Sequence, residues 1–447
     1  MRASSSQPID VVRDQTVQTL QDRPASPASS QTPREQPTHA PPALQRAVYI
    51  VSLFPSWSET FIVREVGTLI DSGVDVRIIS LKRPSQDLVQ SDAAVLLDRV
   101  RHPGTVLHSL GGTLAILARN PRSVVGSFAT VIAQLWRQPV VLLKSLFALL
   151  RGLEQAAWLR EFDPQVIHSH WATYPSTAAW ALGRALDKPF SFTCHAHDIF
   201  VEHQMLARKI EDAALAVTIS RYNVEWLRTH ATPLAEHKLK VVHCGVDLDK
   251  TSWQPGGREP HSLLAVGRLD PVKGFASLIQ ALALLHKRGL PFDCRIVGSG
   301  PLEAELRRLA DDLGVSNRIE FSGAQPQAMV RAWMNSATLF VLPSEVAADG
   351  NRDGIPVALM EAMASGCPVI STRVSGIPEL IEDDLQGLLV DEREPVALAD
   401  ALQRLLEDAS LRERLALAAR RHVEREFDAR TEATRLRGFM EQLVDVG

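Results

Sequence analysis

Cysteine is scarce and scattered in this chain. Cys194, Cys244, Cys294 and Cys367 lie far apart and make no CxxC pair. That excludes a zinc-finger ligand set and a disulfide scaffold, and it fits a reducing compartment. An excess of charge of one sign is also missing. The 48 basic and 52 acidic side chains leave a formal net charge of −4, so nothing electrostatic argues for a nucleic-acid partner. No uninterrupted apolar run reaches about 18 residues, and no membrane-spanning helix is predicted. Residues 1–45 are rich in Ser, Pro, Gln and Thr, lack periodic apolar residues and read as a disordered tail. They also lack the apolar stretch of a secretory signal, so a cytoplasmic location is expected. No fixed-period repeat occurs, which removes solenoids and propellers.

What is present is an ordinary globular composition, 45% hydrophobic and 22% charged over 447 residues, long enough for two domains. Ala47 opens an apolar run, AVYIVSLFP, with the pattern of a buried parallel strand. A helix is predicted in SETFIVREVGTLIDSG, with Ser58 as N-cap and Phe61, Val63, Val66, Leu69 and Ile70 as apolar positions. A strand at 74–81 completes β-α-β, the grammar of a doubly wound sheet. Further strands are expected at 165–170, 190–195, 215–220 and 239–245. The Pro- and Gly-rich segment 251–261 reads as a linker. After it the alternation resumes, with strands in HSLLAVGRL, FDCRIVGSGP, RIEFSG, ATLFVLPS and PVIST and closing helices from about Pro395 to Leu443. The expected organisation is an N-terminal domain over 46–250, a C-terminal domain over 262–428 and a last helical segment over 429–447.

The stretch DGIPVALMEAMASGCPVISTRVSGIPELI, Asp353 to Ile381, carries the densest signal. Asp353 and Glu361 stand eight positions apart around a Gly354-Ile355-Pro356 turn that opens into a helix, with Glu361 two turns deeper. Free N–H groups at a helix start suit an anion such as a diphosphate. An amphipathic helix with Pro near its start explains the same residues without a ligand. In GRLDPVKG, Arg268 and Lys273 follow a strand end. They can hold a pyrophosphate as planar fork and point charge, or they form a solvated basic loop. IVGSGP is a glycine turn but no dinucleotide fingerprint, because Pro301 stands where the turn would continue. In SFTCHAHDIF, His195, His197 and Asp198 emerge at a strand's carboxyl end, where ligands bind in open α/β sheets. His168 and His170 end the preceding strand, His170 either as a satisfied buried histidine or as an acceptor contact. These histidines are of the type that binds zinc, but polar cleft lining accounts for them and no metal is expected. In PSWSETF, Ser58, Glu59 and Thr60 either bond a ligand or only begin the helix.

The acid, seven intervening residues and Glu361, followed by ASGCPVIST and GIPELI, resemble the nucleotide-sugar signature of retaining glycosyltransferases of family 4. The longer string DGNRDGIPVALMEAMA resembles a subgroup from bacterial exopolysaccharide and colanic-acid pathways. The resemblance covers roughly residues 46–430. It implies the α/β GT-B fold, two Rossmann-like doubly wound domains facing across a cleft, with the last helix crossing back onto the first domain. It implies transfer of a sugar from a nucleotide diphosphate sugar to a hydroxyl acceptor, lipid-linked or polysaccharide, with no metal cofactor. It assigns Arg268 and Lys273 to the diphosphate, Asp353 to sugar hydroxyls, Glu361 to the ribose and His195 to the transferred sugar. More loosely, it places Gly298, Gly300 and Ile319 along the base. Gly354, Ile355 and Pro356 would line the diphosphate, with Ser58, Glu59, Thr60, His170 and Asp198 as further substrate contacts. The family's usual first acid is Glu; Asp353 is one methylene shorter.

One interval reads differently. Between Asp98 and Glu154 there is no Asp or Glu, but there are Arg99, Arg101, Arg119, Arg122, Arg137, Lys144 and Arg151, set among apolar runs that Pro121 and Pro139 interrupt. Such helices suit an anionic membrane interface, or they pack on the first sheet with a basic rim. Contact of residues 99–153 with the inner face of the plasma membrane is the expectation. Two other functions share the motifs. A nucleotide-sugar epimerase needs acid/base carboxylates, for which only Asp198 offers itself, and a non-catalytic nucleotide-sugar-binding protein needs only the fold. A dinucleotide dehydrogenase is disfavoured, since neither first strand leads into GxGxxG.

Overall fold

The computed structural model describes residues 44–56, 59–84, 91–231, 236–254 and 256–444. The expected tail lies outside them except for its last two residues, and Leu44 is fully buried, so those two belong to the fold. Ser58 also lies outside the described residues.

Two all-parallel sheets organise the chain. The first comprises β1 (Arg46–Leu53), β2 (Asp75–Lys82), β3 (Val100–Arg101), β4 (Val166–His170), β5 (Phe190–Cys194), β6 (Leu215–Thr218) and β7 (Leu239–Val241), in the order β3-β2-β1-β4-β5-β6-β7. The second comprises β8 (Glu259–Val266), β9 (Asp293–Val297), β10 (Ile319–Gly323), β11 (Ala337–Leu342), β12 (Val369–Thr372) and β13 (Leu388–Val390), in the order β10-β9-β8-β11-β12-β13. Helices cover both faces, which is why β4 and β11 are buried at every residue. In each sheet the chain first builds outward from one central strand and then returns to extend the other side. The reversal falls between β1 and β4 and between β8 and β11. Loops leaving adjacent strands at such a switch point diverge and open a crevice.

Strands β3 and β13 are two and three residues long, too short to show a period. Strand β8 begins at Glu259, inside the expected linker, where Glu259 pairs with Ala337. Its first three residues are exposed, so no apolar pattern marks them. The first helix spans Thr60–Asp71 with Glu59 in the N-cap position, one residue later than expected.

Two chain crossings join the lobes side by side. The Val246 N–H donates to Phe427 O at 2.9 Å and the Ala429 N–H to Val246 O at 3.0 Å. The helix Ala429–Val444 then leaves the second lobe and packs on Thr60–Asp71. It buries Leu436 and Met440 in the first lobe's core, each worth roughly 1.5–3 kcal/mol.

The acid-free interval forms three helices, Val106–Arg119, Pro121–Leu135 and Pro139–Leu153. Pro121 and Pro139 open the second and third, where a missing N–H has no intrahelical partner to lose. The three pack on one another, and the last two also pack on Tyr174–Leu186. Ile116, Val131 and Leu149 point inward. The outer face is apolar too. Of sixteen large apolar side chains that stand exposed among the described residues, ten lie between Val106 and Phe147. No helix among the described residues is long and apolar enough to cross a membrane.

Candidate active site

The second lobe brings its distant motifs together at its switch point. The loop after β8 carries Lys273, and the segment after β11 carries Ser344 and Asp353. Lys273 Nζ lies 2.7 Å from Asp353 Oδ1, and Ser344 Oγ donates to Asp353 Oδ2 at 2.7 Å. Arg268 extends into solvent, 72% exposed, with its nearest carboxylate, Asp270, at 3.7 Å. The helix Val357–Ala364 opens after Pro356. Glu361 is its fifth residue and so sits one turn inside, not two. It is buried, and its Oε1 accepts from Arg64 Nη2 at 2.8 Å and Gln327 Nε2 at 2.9 Å. Arg64 comes from the first lobe, so this pair bridges the cleft.

The small residues nearby have a packing role. A Cβ on Gly354 would lie 2.6 Å from Ile219 Cδ1 of the first lobe, so glycine permits the close approach of the lobes. Ile355 is buried, and Pro356 has no N–H to offer an anion. Gly298 and Gly300 are required by the loops themselves, because a Cβ would meet Gly267 O at 1.9 Å and Leu269 O at 2.3 Å respectively. Ile319 is misplaced by the reading from sequence. It is the first residue of β10 and belongs to the core, at the end of the sheet away from the crevice, since only the carboxyl ends of parallel strands reach it.

In the first lobe, β4 and β5 deliver His170 and His195 to the facing crevice. His170 Nδ1 lies 3.2 Å from His195 Nε2, and His170 Nε2 lies 3.1 Å from Glu65 Oε1. Tyr49 OH donates to the same Glu65 oxygen at 2.7 Å. Phe61 and Trp171 pack on the His195 ring at centroid distances of 5.0 and 4.6 Å. Burial, reinforced by the neighbouring His170, holds the His195 pKa well below the ordinary histidine range. Glu59 accepts from Trp171 Nε1 at 3.1 Å, and burial raises its carboxyl pKa. Thr60 begins the first helix.

Asp198 requires a correction, because it is fully buried and its oxygens are spent on the backbone. One accepts the His195 N–H at 2.8 Å and the other the Ala172 N–H. Lys209, equally buried, donates to Ala172 O at 2.6 Å and Thr173 O at 2.7 Å. Burial pushes Asp198 up to about 7 and Lys209 down to about 7. The two clamp the 171–173 turn beneath the site and do not face a substrate.

His168 bonds Ser191 Oγ at 2.9 Å and Thr193 Oγ1 at 3.2 Å. Glu65, His168 and His170 bring potential ligand atoms within 4.8 Å of one another. Each also takes part in these hydrogen bonds.

A clasp between the lobes escaped the sequence. Glu379, in the GIPELI motif, accepts from Arg221 N at 2.9 Å and Tyr222 N at 2.7 Å, closing the start of the first-lobe helix Arg221–His230. His243 lies 3.9 Å from Glu379 and 3.6 Å from Glu432. Burial alone would lower its pKa, but the two carboxylates outweigh burial and raise it. Arg64, Glu65, Gln327 and His243 gave no local signal, because their partners are distant in sequence or on the other lobe, and Glu379 stood in a motif that showed nothing of its partner.

Two Rossmann-like lobes, facing each other with cations, carboxylates and imidazoles at their switch points, define a glycosyltransferase of the GT-B type. Residues 58–250 match the family model "Glycosyltransferase Family 4" and residues 251–422 match "Glycosyl transferases group 1". The amylovoran biosynthesis glycosyltransferase AmsK of Erwinia amylovora is 30% identical over 422 residues, covering 89% of this chain and all of that protein. The putative colanic acid biosynthesis glycosyltransferase WcaL of Escherichia coli K12 is 32% identical over 373 residues, covering 78% and 87%. Anabaena Alr3699/HepE, solved in complex with UDP and glucose, superposes with a TM-score of 0.62 at 18% identity over 88% of this chain and 98% of that one. The chain belongs to glycosyltransferase family 4 and is a hexosyltransferase.

Proposed function

We propose that this enzyme transfers a sugar from a nucleotide diphosphate sugar to a hydroxyl of a saccharide or lipid-linked acceptor in exopolysaccharide assembly, with retention of anomeric configuration. The observation that carries the reading is the convergence of Lys273, Asp353 and Glu361 at one switch point, opposite His170 and His195 at the other. As the glycosidic bond breaks, negative charge grows on the diphosphate. Arg268, Lys273 and the backbone before the helix Val357–Ala364 meet it, and the reading needs no metal. Fixed donors of this kind are worth about 2.7–4 kcal/mol each. Asp353 serves sugar hydroxyls and Glu361 the ribose, once each is released from its internal partner. In front-face attack the departing phosphate takes the acceptor's proton, so no separate base is assigned. The outer face of the three helices in 99–153 rests on an anionic membrane surface, bringing a lipid-linked acceptor to the cleft.

Thermal denaturation with UDP, GDP and other nucleoside diphosphates tests the donor side. A ligand at 100 times its Kd adds about 2.7 kcal/mol, and Glu361→Ala should lose that gain. Stabilisation by no nucleotide, or the same gain in Glu361→Ala, would remove this assignment. Incubation with donor alone separates a transferase, which hydrolyses it slowly, from an epimerase, which returns an altered sugar.

A further inference from the structure

The hydrogen bonds around His195 form a closed series in which every proton has one place. Glu65 is the starting point: its carboxylate can only accept, and it accepts from Tyr49 OH at 2.7 Å and meets His170 Nε2 at 3.1 Å. The His170 proton therefore sits on Nε2, and its Nδ1 is left to accept. His195 Nε2, 3.2 Å away, gives its proton to that nitrogen. The backbone of His195 is held as well, because Asp198 accepts its N–H at 2.8 Å. A ring nitrogen that accepts cannot also carry the proton, so one bond fixes the next.

The series ends on Tyr49, which is fully buried, and burial, with Glu65 beside it, holds its hydroxyl pKa well above the ordinary value. Tyr49 therefore stays a donor to Glu65 and anchors the carboxylate that in turn meets His170. His170 also packs on Tyr49 and Phe61, with centroids 5.8 Å away in each case.

We propose that Glu65 and His170 are positioning residues for sugar transfer, acting through His195 by fixing its tautomer and ring orientation at the carboxyl end of β5. This rests on the reading above only in placing the transferred sugar beside His195. Outer groups that fix a histidine's tautomer tune that residue without touching the ligand. A small displacement at the reacting centre costs about 10²-fold in rate.

Two measurements on the full chain separate the lock from the reaction. In ¹⁵N-histidine NMR, His170 and His195 are both expected as Nε2–H tautomers. His170→Ala should leave the His195 ring exchanging between tautomers, and His170→Asn, whose amide oxygen stands near the lost Nδ1, should restore the single form. A parent His195 protonated on Nδ1, or one that stays single in His170→Ala, overturns the lock. In the second measurement, nucleotide release from UDP-glucose and GDP-mannose is followed. The expected result is that His170→Ala loses about 10²-fold in kcat with KM within about threefold, and that His170→Asn recovers at least about tenfold. Circular dichroism confirms that both variants are folded. If they are folded and His170→Asn is no better than His170→Ala, the positioning role fails. If the parent releases nucleotide from neither donor, it is the sugar-transfer assignment on which the positioning role rests that fails, while the NMR result still decides the lock.

Discussion

Lys273 and Asp353 answer each other's charge while no diphosphate is bound. On the proposed reading, a ligand phosphate takes Lys273 from Asp353 and frees the carboxylate for sugar hydroxyls, so one side chain would link the two halves of donor binding. Lys273→Met should reduce donor turnover by about 10²–10³-fold, the loss typical of one preorganised donor, measured as nucleotide release at saturating donor. Asp198 and Lys209 carry a different prediction, one of stability. Lys209→Met removes the donor to two buried carbonyls and the positive charge nearest a buried carboxylate. A buried carbonyl left without its donor costs about 1–3 kcal/mol, and urea unfolding should show a loss of that order for the two together in Lys209→Met. The motif around Asp198 showed its position at a strand end but not its orientation. Alternation places a residue on a face, while whether its oxygens meet backbone or solvent depends on the Ala172 turn and on Lys209, which sequence spacing does not encode.

At the scale of elements, the strands with long apolar runs were legible, because burial on both faces writes a continuous pattern. Edge strands β3 and β13 and the exposed start of β8 were not, since two or three residues, or polar ones, carry no period. The three helices of 106–153 are the instructive case. Their sequence is apolar on nearly every side, and that leaves open which face packs inward. The fold answers by burying Ile116, Val131 and Leu149 and leaving Leu107, Trp136 and Leu143 exposed at 80%, 62% and 70%. Arg119, Arg122, Arg137 and Lys144 are also exposed, and no carboxylate in these helices opposes them. An interfacial helix combines apolar insertion with about 1 kcal/mol of attraction per basic residue. Sedimentation with phosphatidylserine-containing vesicles should fall several-fold when the four basic residues become Gln, and again when Leu107, Trp136 and Leu143 become Ser. Binding that survives both sets would remove the membrane surface from the reading.

The whole molecule depends on how the lobes hold each other, and this was the least legible level, since each contact joins segments that no local pattern connects. Arg64 reaches Glu361, Glu379 caps the helix Arg221–His230, and Arg352 Nη1 donates to Tyr222 OH at 2.9 Å. His243 lies at the root of this clasp, between Glu379 and Glu432, with the Phe427 ring 4.6 Å away. Because its folded-state pKa lies above the ordinary 6.5, folding favours the charged form. The contribution is therefore fully present below about pH 6.5 and is lost as pH rises through the folded-state value. Burial opposes the carboxylates, so removing one of them should weaken or reverse the effect. In Glu432→Gln the imidazole keeps its burial and loses its nearest negative charge. The difference in urea midpoint between the parent and His243→Asn should be largest near pH 6 and should shrink toward alkaline pH. In the Glu432→Gln background the same difference should flatten or invert. If the parent's advantage instead grows with pH, the imidazole is held neutral, and the clasp is closed by Glu379 on the helix start alone.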